Sequence, residues 1–211
     1  MTADRSPRLI ILAGPNGSGK TTFAAQLSDH PWGENCRILN ADEMAEKLGG
    51  WNNPECVAQA QLLVREQLQL ALLNQEDIMY ETVFSHPSKL ELVRHARELG
   101  YFVRLFFICT ASPRINIDRV AERYAKGGHT VPGEKVSSRY NRALMYGADA
   151  LRLVQRGYVY DNSTSANDTD NSFDLLFRTI DGKALKLYSS PDSWPLAYRY
   201  FLQDVAEQEI S

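Results

Sequence analysis

The sequence predicts an α/β fold: a central parallel sheet of about five strands flanked by helices, with a small C-terminal hairpin and helix extension. Three observations carry this reading. Apolar runs of strand length, such as Leu9-Ile10-Ile11-Leu12, have the unbroken hydrophobicity of strands buried on both faces. Such runs alternate with helical stretches as far as about residue 160, the pattern of strands joined by crossover helices. A glycine-rich turn, GPNGSGKT at residues 14–21, sits between the first strand and the first helix.

The elements follow in order. Arg8 to Ala13 reads as a strand and Lys20 to Ser28 as a helix. Arg37 to Asn40 is a short strand that ends at Ala41-Asp42. Pro54 to about Leu73 is a long helix rich in Gln, Leu and Ala. Ile78 to Tyr80 is a third strand, ending at Glu81-Thr82. Pro87 suits a helix start, and that helix runs to Leu99, where Gly100 stops it. Tyr101 to Cys109 is the fourth strand. Ser112-Pro113 is a good N-cap and first-position pair for a helix to about Lys126, which ends at Gly127-Gly128. A further helix spans about 135–155, and Tyr158 to Asp161 is a fifth strand. The polar stretch 162–172 reads as a surface loop. Phe173 to Tyr188 suggests two strands about the hairpin signal Asp181-Gly182, and Pro195 to Glu207 a closing helix.

With 211 residues the chain suits one domain over 1–211, with a C-terminal extension from about 170. Its 44% apolar and 23% charged residues are ordinary for a soluble protein. A net charge of −3 and a pI near 5.8 disfavour a general nucleic-acid coat. No signal core or apolar span is present, and three cysteines (Cys36, Cys56, Cys109) form no CxxC pair. These features point to a cytoplasmic protein with free thiols and no membrane partner. His30, His86 and His95 lack metal-ligand spacing, and Trp194, Tyr198, Tyr200 and Phe201 read as core packing.

Gly14, Pro15, Asn16, Gly17, Ser18, Gly19, Lys20 and Thr21 match G-x-x-x-x-G-K-[ST] between a strand and a helix. Glycines let successive N–H groups turn inward around phosphate oxygens, and the helix N-terminus adds partial positive charge. Lys20 would reach the β- and γ-phosphates, and Thr21 would offer a hydroxyl to Mg²⁺; Thr22 completes the set contacting ATP. The N-K-x-D signature of GTPases and an LSGGQ signature are absent, and the length suits a small kinase. Asp42 is the candidate to orient and deprotonate an acceptor hydroxyl, with helix capping as its bland alternative. Glu43, Glu81 and Thr82 face the same sheet edge; Glu81 could bind substrate hydroxyls, hold Mg²⁺ through water, or be a solvated carboxylate. Residues 114–142 carry seven Lys or Arg and three acids, a surplus of +4. A lid over about 112–142 would bring Arg119, Arg123 and Arg139 to the phosphates and exclude water.

The ordered set GPNGSGKTT, LNADEM, ETVFS and DRVAERYAKGGHTVP resembles the zeta-toxin-like P-loop kinases over about residues 8–162. The resemblance implies a P-loop NTPase fold and ATP-dependent phosphorylation of UDP-N-acetylglucosamine at its 3′-hydroxyl. It implies Lys20 and Thr21 as the ATP and Mg²⁺ residues, Asp42 as the activating carboxylate, Glu81 as an acid near the acceptor, and Arg123 as a phosphate clamp. Where the family places a second arginine before a Thr-Pro pair, this chain has His129-Thr130-Val131-Pro132, so His129 or Arg139 would complete the clamp. It also implies a restraining antitoxin, expected here as a separate chain. Other readings are a kinase for another hydroxyl metabolite (nucleoside, dinucleotide or antibiotic), a nucleotide-gated ATPase switch, and an RNA-end kinase, which the acidic pI disfavours.

Overall fold

A computed structural model of the chain describes residues 5–127, 131–163 and 173–201. Its strands are β1 (Arg8–Ala13), β2 (Arg37–Asn40), β3 (Ile78–Thr82), β4 (Phe102–Cys109), β5 (Arg156–Asp161), β6 (Asp174–Ile180) and β7 (Lys183–Leu187). They form one seven-stranded sheet in the order β2-β3-β1-β4-β5-β6-β7. The first five are parallel, and the last two continue the sheet antiparallel. The hairpin is therefore part of the central sheet. Its turn is the one the sequence signals: Asp181 and Gly182 both have positive φ, 48° and 78°, as a tight hairpin with right-handed strand twist requires.

β1 lies in the middle, and Leu9 to Ala13 are completely buried. Alternation sorts its side chains to two cores. Leu9 and Ile11 join the larger one, with α3 (Pro54–Leu73), α4 (Ser88–Glu98), α6 (Gly133–Leu151), Phe177, Trp194, Tyr198 and Phe201. Ile10 and Leu12 join the smaller one, covered by Phe23 and Leu27 of α1 (Lys20–Ser28). Trp194, Tyr198 and Phe201 are thus core, as the sequence reading has them, and Tyr200 packs against it partly buried. α5 (Pro113–Ala125) stands apart: Val120, Val131, Val136 and Ile117 form their own cluster.

Several boundaries differ from the sequence reading. β2 stops at Asn40, and Asp42 lies inside a helix that the sequence reading lacks, α2 (Ala41–Leu48). The cause is Asn40, whose Oδ1 accepts the N–H groups of Asp42 at 2.8 Å and Glu43 at 3.4 Å, an N-cap that ends the strand and starts the helix together. α6 ends at Leu151 and β5 starts at Arg156. Between them Gln155 donates to Tyr101 O and accepts from Val103 N–H, which ties the chain to β4 before the helix can continue. Ser112 holds the N-cap position of α5 without a side-chain cap bond. Short 3₁₀ turns at Pro191–Ser193 and Leu196–Tyr198 replace the start of the expected closing helix; its residues from 202 onward lie outside the described residues. Cys36 and Cys56 are half-buried free thiols and Cys109 a buried one. Among the described residues no helix is long and apolar enough to cross a membrane.

One contact fixes how closely α6 packs on the sheet. A Cβ at Gly147 would lie 2.3 Å from Phe107 Cε2, and that fully buried ring is backed by Phe201 at a centroid distance of 5.5 Å. Gly147→Ala is expected to destabilise the protein by about 1–3 kcal/mol through overpacking, read as a lower midpoint in urea unfolding with an unchanged slope.

Candidate phosphate-binding and acceptor site

The strand order reverses about β1, because the crossover to β2 runs one way and that to β4 the other. Ligands in open α/β sheets bind at such a point, outside the carboxyl ends of the strands. The loop Gly14–Gly19 lies there, and two of its glycines are obligatory for different reasons. A Cβ at Gly14 would stand 2.0 Å from the Ile108 carbonyl oxygen. Gly19 has φ 95° at the N-cap of α1, and a Cβ there would meet Asn162 Nδ2 at 2.4 Å. Two asparagines that the sequence reading did not single out brace the loop from behind: Asn116 Nδ2 donates to Asn16 O at 2.6 Å, and Asn162 Nδ2 to Ser18 O at 2.9 Å. The first backbone bond of α1 runs from Phe23 N–H to Gly19 O. Among the described residues the N–H groups of Gly17, Gly19, Lys20, Thr21 and Thr22 have no backbone acceptor. Asn16 Oδ1 and Ser18 Oγ are buried without partners. A cradle of open donors at a helix N-terminus fits a polyphosphate.

Lys20 is buried, and its ammonium donates to Pro15 O at 2.9 Å. Burial pushes its pKa down, against the opposing pull of Glu81 and Asp42. Thr21 donates its hydroxyl to Glu81 Oε1 at 3.0 Å, and Asn40 Nδ2 donates to Glu81 Oε2 at 2.9 Å. Burial raises the Glu81 pKa above the ordinary carboxylate range, while Lys20 and the Thr21 bond work the other way. Asn40 thus holds two things at once: its amide grips Glu81, and its carbonyl starts the helix that presents Asp42 and Glu43. Both of those carboxylates are exposed and close enough to act electrostatically on Glu81. A cleft of about 150 Å³ opens beside them, with Thr21, Glu43 and Glu81 at its polar side and Ile38 and Met79 among its apolar walls.

The basic residues converge from the other side. Arg123 is exposed on α5 and acts on Lys20. Arg139, half-buried on α6, has its pKa lowered by burial and then by Arg142, with Asp42 opposing. Arg119 donates to Asn162 O at 2.7 Å, which ties α5 to the residue bracing the loop. Thr82 plays a local part: its Oγ1 accepts from Phe84 N–H at 3.4 Å, in a turn where Phe84 has φ 60°. His129 lies outside the described residues.

The Zeta toxin family model matches residues 1–172. The chain belongs to the Zeta toxin family. Among its relatives is an uncharacterised protein of Haemophilus influenzae, 25% identical over 133 residues that make up 63% of this chain and 92% of the relative. Similar in fold are a chain of the PezAT chromosomal toxin-antitoxin system of Streptococcus pneumoniae and a chain of the AvrRxo1-ORF1:-ORF2 structure with ATP. The first gives a TM-score of 0.63 at 16% identity, over 99% of this chain and 87% of that one. The second gives 0.64 at 18% identity, over 88% of this chain and 61% of that one.

In this Zeta toxin family member one support of the site comes from beyond the matched stretch. Tyr198 is fully buried, and its hydroxyl donates to Asp161 Oδ1 at 2.7 Å. The same carboxylate oxygen accepts from Ser163 Oγ, which in turn accepts the Ala111 N–H at 2.7 Å. Asn162, between Asp161 and Ser163, is the residue that holds Ser18 and Arg119. Burial drives the Tyr198 pKa far up, so the phenol stays protonated and donates. Tyr198→Phe removes a buried bond to a charged acceptor and is expected to lower stability by about 1.5–3 kcal/mol, with amide exchange at Asn162 and Ser163 accelerating more than in α3.

Proposed function

We propose that the protein is an ATP-dependent phosphotransferase that phosphorylates an alcohol group of a small molecule, with a sugar nucleotide such as UDP-N-acetylglucosamine as the favoured acceptor. The observation that carries the reading is the double grip of Asn40. It links the carboxylate beside the phosphate loop, Glu81, to the helix that offers a second carboxylate, Asp42, on its first turn. A phosphate-binding turn alone would need no acid held in register with it.

The open N–H groups from Gly17 to Thr22 and the Lys20 ammonium would hold the phosphate oxygens. Thr21 and Glu81 would hold Mg²⁺. ATP with Mg²⁺ supplies an activated phosphoryl group and the divalent charge that offsets negative charge growing on it. Asp42 accepts the proton of the acceptor hydroxyl as that oxygen bonds to the γ-phosphorus. The bond from phosphorus to the bridging oxygen breaks, and ADP leaves with the electron pair. Arg123 and Arg139 neutralise charge on the transferring group and, with α5 and its separate apolar cluster, act as a lid that excludes water. A cytoplasmic location supplies ATP and the acceptor, and a separate antitoxin chain is the expected restraint.

Incubation with ATP, Mg²⁺ and a metabolite extract is expected to give a species heavier by one phosphate, detected by mass spectrometry; ATP consumption with no such product would favour a hydrolysing switch instead. Asp42→Asn is expected to lower acceptor-dependent ADP formation by about 10²–10⁴-fold while ATP is still bound, since the open N–H groups of the loop are unchanged. The raised Glu81 pKa gives a pH signature with a defined sign. The ionised form holds the metal, so kcat/KM for ATP falls as pH drops through a value above the usual glutamate range, and Glu81→Gln is expected to flatten this limb at low activity.

A further inference from the structure

We propose that the α1-covered face of the sheet bears a stripe that binds single-stranded nucleic acid. Five neighbouring strands each place one cation on that face: Arg8 on β1, Arg104 on β4, Arg156 on β5, Arg178 on β6 and Lys186 on β7. Register fixes the common side. Arg8 stands opposite Phe102, two residues before Arg104; Arg104 stands opposite Arg156; Tyr158, two beyond Arg156, stands opposite Arg178; and Arg178 stands opposite Lys186. Directly opposed residues share a face, as do residues two apart. Four strand spacings of about 4.8 Å make the row about 19 Å long.

Among the described residues only Arg8 of the five is matched by an acid, forming an ion pair with Asp77 at 2.7 Å. Among the described residues Arg104, Arg156, Arg178 and Lys186 have no carboxylate partner. Arg156 donates to its neighbour's carbonyl, Gln155 O. The Nε atoms of Arg104 and Arg178 are buried and unbonded. Uncompensated like charges on one face, half-buried at Arg104, Arg156 and Arg178 and exposed at Lys186, repel each other, and a polyanion laid across the row would relieve that repulsion. Rings lie between the cations: Arg104 is 4.4 Å from the Trp32 ring and 5.0 Å from that of Phe102, and Lys186 is 4.5 Å from that of Tyr188, which is 44% exposed. Charges spaced along a line with aromatic and guanidinium planes between them match a strand of phosphates and bases. The row crosses the amino-terminal half of the sheet: Arg156 opens β5, and Arg104 is the third residue of β4. The candidate kinase site lies at the opposite ends of the strands, so the two can be tested apart.

The test is fluorescence anisotropy with a fluorescein-labelled single-stranded RNA of about 15 nucleotides. Binding is expected to weaken with salt at a log–log slope of about 3, from four cations at roughly 0.7 per neutralised phosphate. Arg178→Gln with Lys186→Gln is expected to halve that slope and weaken binding by about tenfold at low salt, with the melting temperature and kinase activity of the native protein retained. No binding at low salt overturns the proposal, as does equal binding by the double variant. A polyglutamate peptide that displaces the RNA at equal charge concentration also overturns it, and makes the stripe a surface for an acidic protein.

Discussion

The turn from Ala13 to Lys20 can face its N–H groups outward only because its carbonyls are occupied behind it. Asn116 takes the carbonyl of Asn16, Asn162 that of Ser18, and Lys20 that of Pro15. A peptide whose carbonyl is held on one side presents its neighbours' amides to the other, and the glycines supply the backbone angles this needs. The braces come from separate elements: Asn116 from α5, Asn162 from the end of β5. α5 and the end of β5 therefore set the shape of the loop, and Arg119, which holds Asn162, joins the two. Loop and α5 form one hydrogen-bonded unit.

The same economy governs the carboxylates. β3 delivers Glu81 next to β1 because the sheet order places those strands side by side. The short strand β2 then needs to end where Glu81 can be reached, and Asn40 does this while capping α2. Trp51 reinforces the arrangement by donating to the backbone carbonyl of Asp42 at 2.7 Å. The acids differ in burial, and their chemistry differs with it: Glu81 is half-buried and held by two donors, whereas Asp42 is exposed on the first turn of α2. A held carboxylate suits a fixed ion, and a free one suits a hydroxyl that arrives and departs.

What could be read from the chain was what depends on local chemistry. The phosphate loop, the parallel strands, the Asp181-Gly182 turn and the ends of α3 follow from residue types in fixed spacing, and the family signature lies in those same segments. What escaped depends on distance in space. α2 escaped because it is only eight residues long, follows the end of β2 directly and buries only Ala45, although Asn40 three residues before Glu43 is a cap signal in its own right. Asn116 and Asn162 escaped because each is one polar residue whose partner lies 100 or 144 positions away. The hairpin was legible, but its place as strands six and seven of the main sheet was not, since antiparallel pairing with β5 leaves no mark on spacing. The basic row escaped for the same reason: its members are scattered through an acidic chain and meet only in the sheet.

Lys20 folding back onto Pro15 has one more consequence. A full positive charge kept away from water, with one carbonyl as its hydrogen-bond acceptor and the Glu81 and Asp42 carboxylates acting on it only through space, is held at a loss that the rest of the fold sustains. A phosphate placed in the loop would return that loss by giving the ammonium a counter-ion at hydrogen-bond distance, and the buried charge would contribute to the affinity for it. On the proposed function, the nucleotide-bound form is then expected to be the stiffer one, so that the ligand would act as a structural support as well as a reactant.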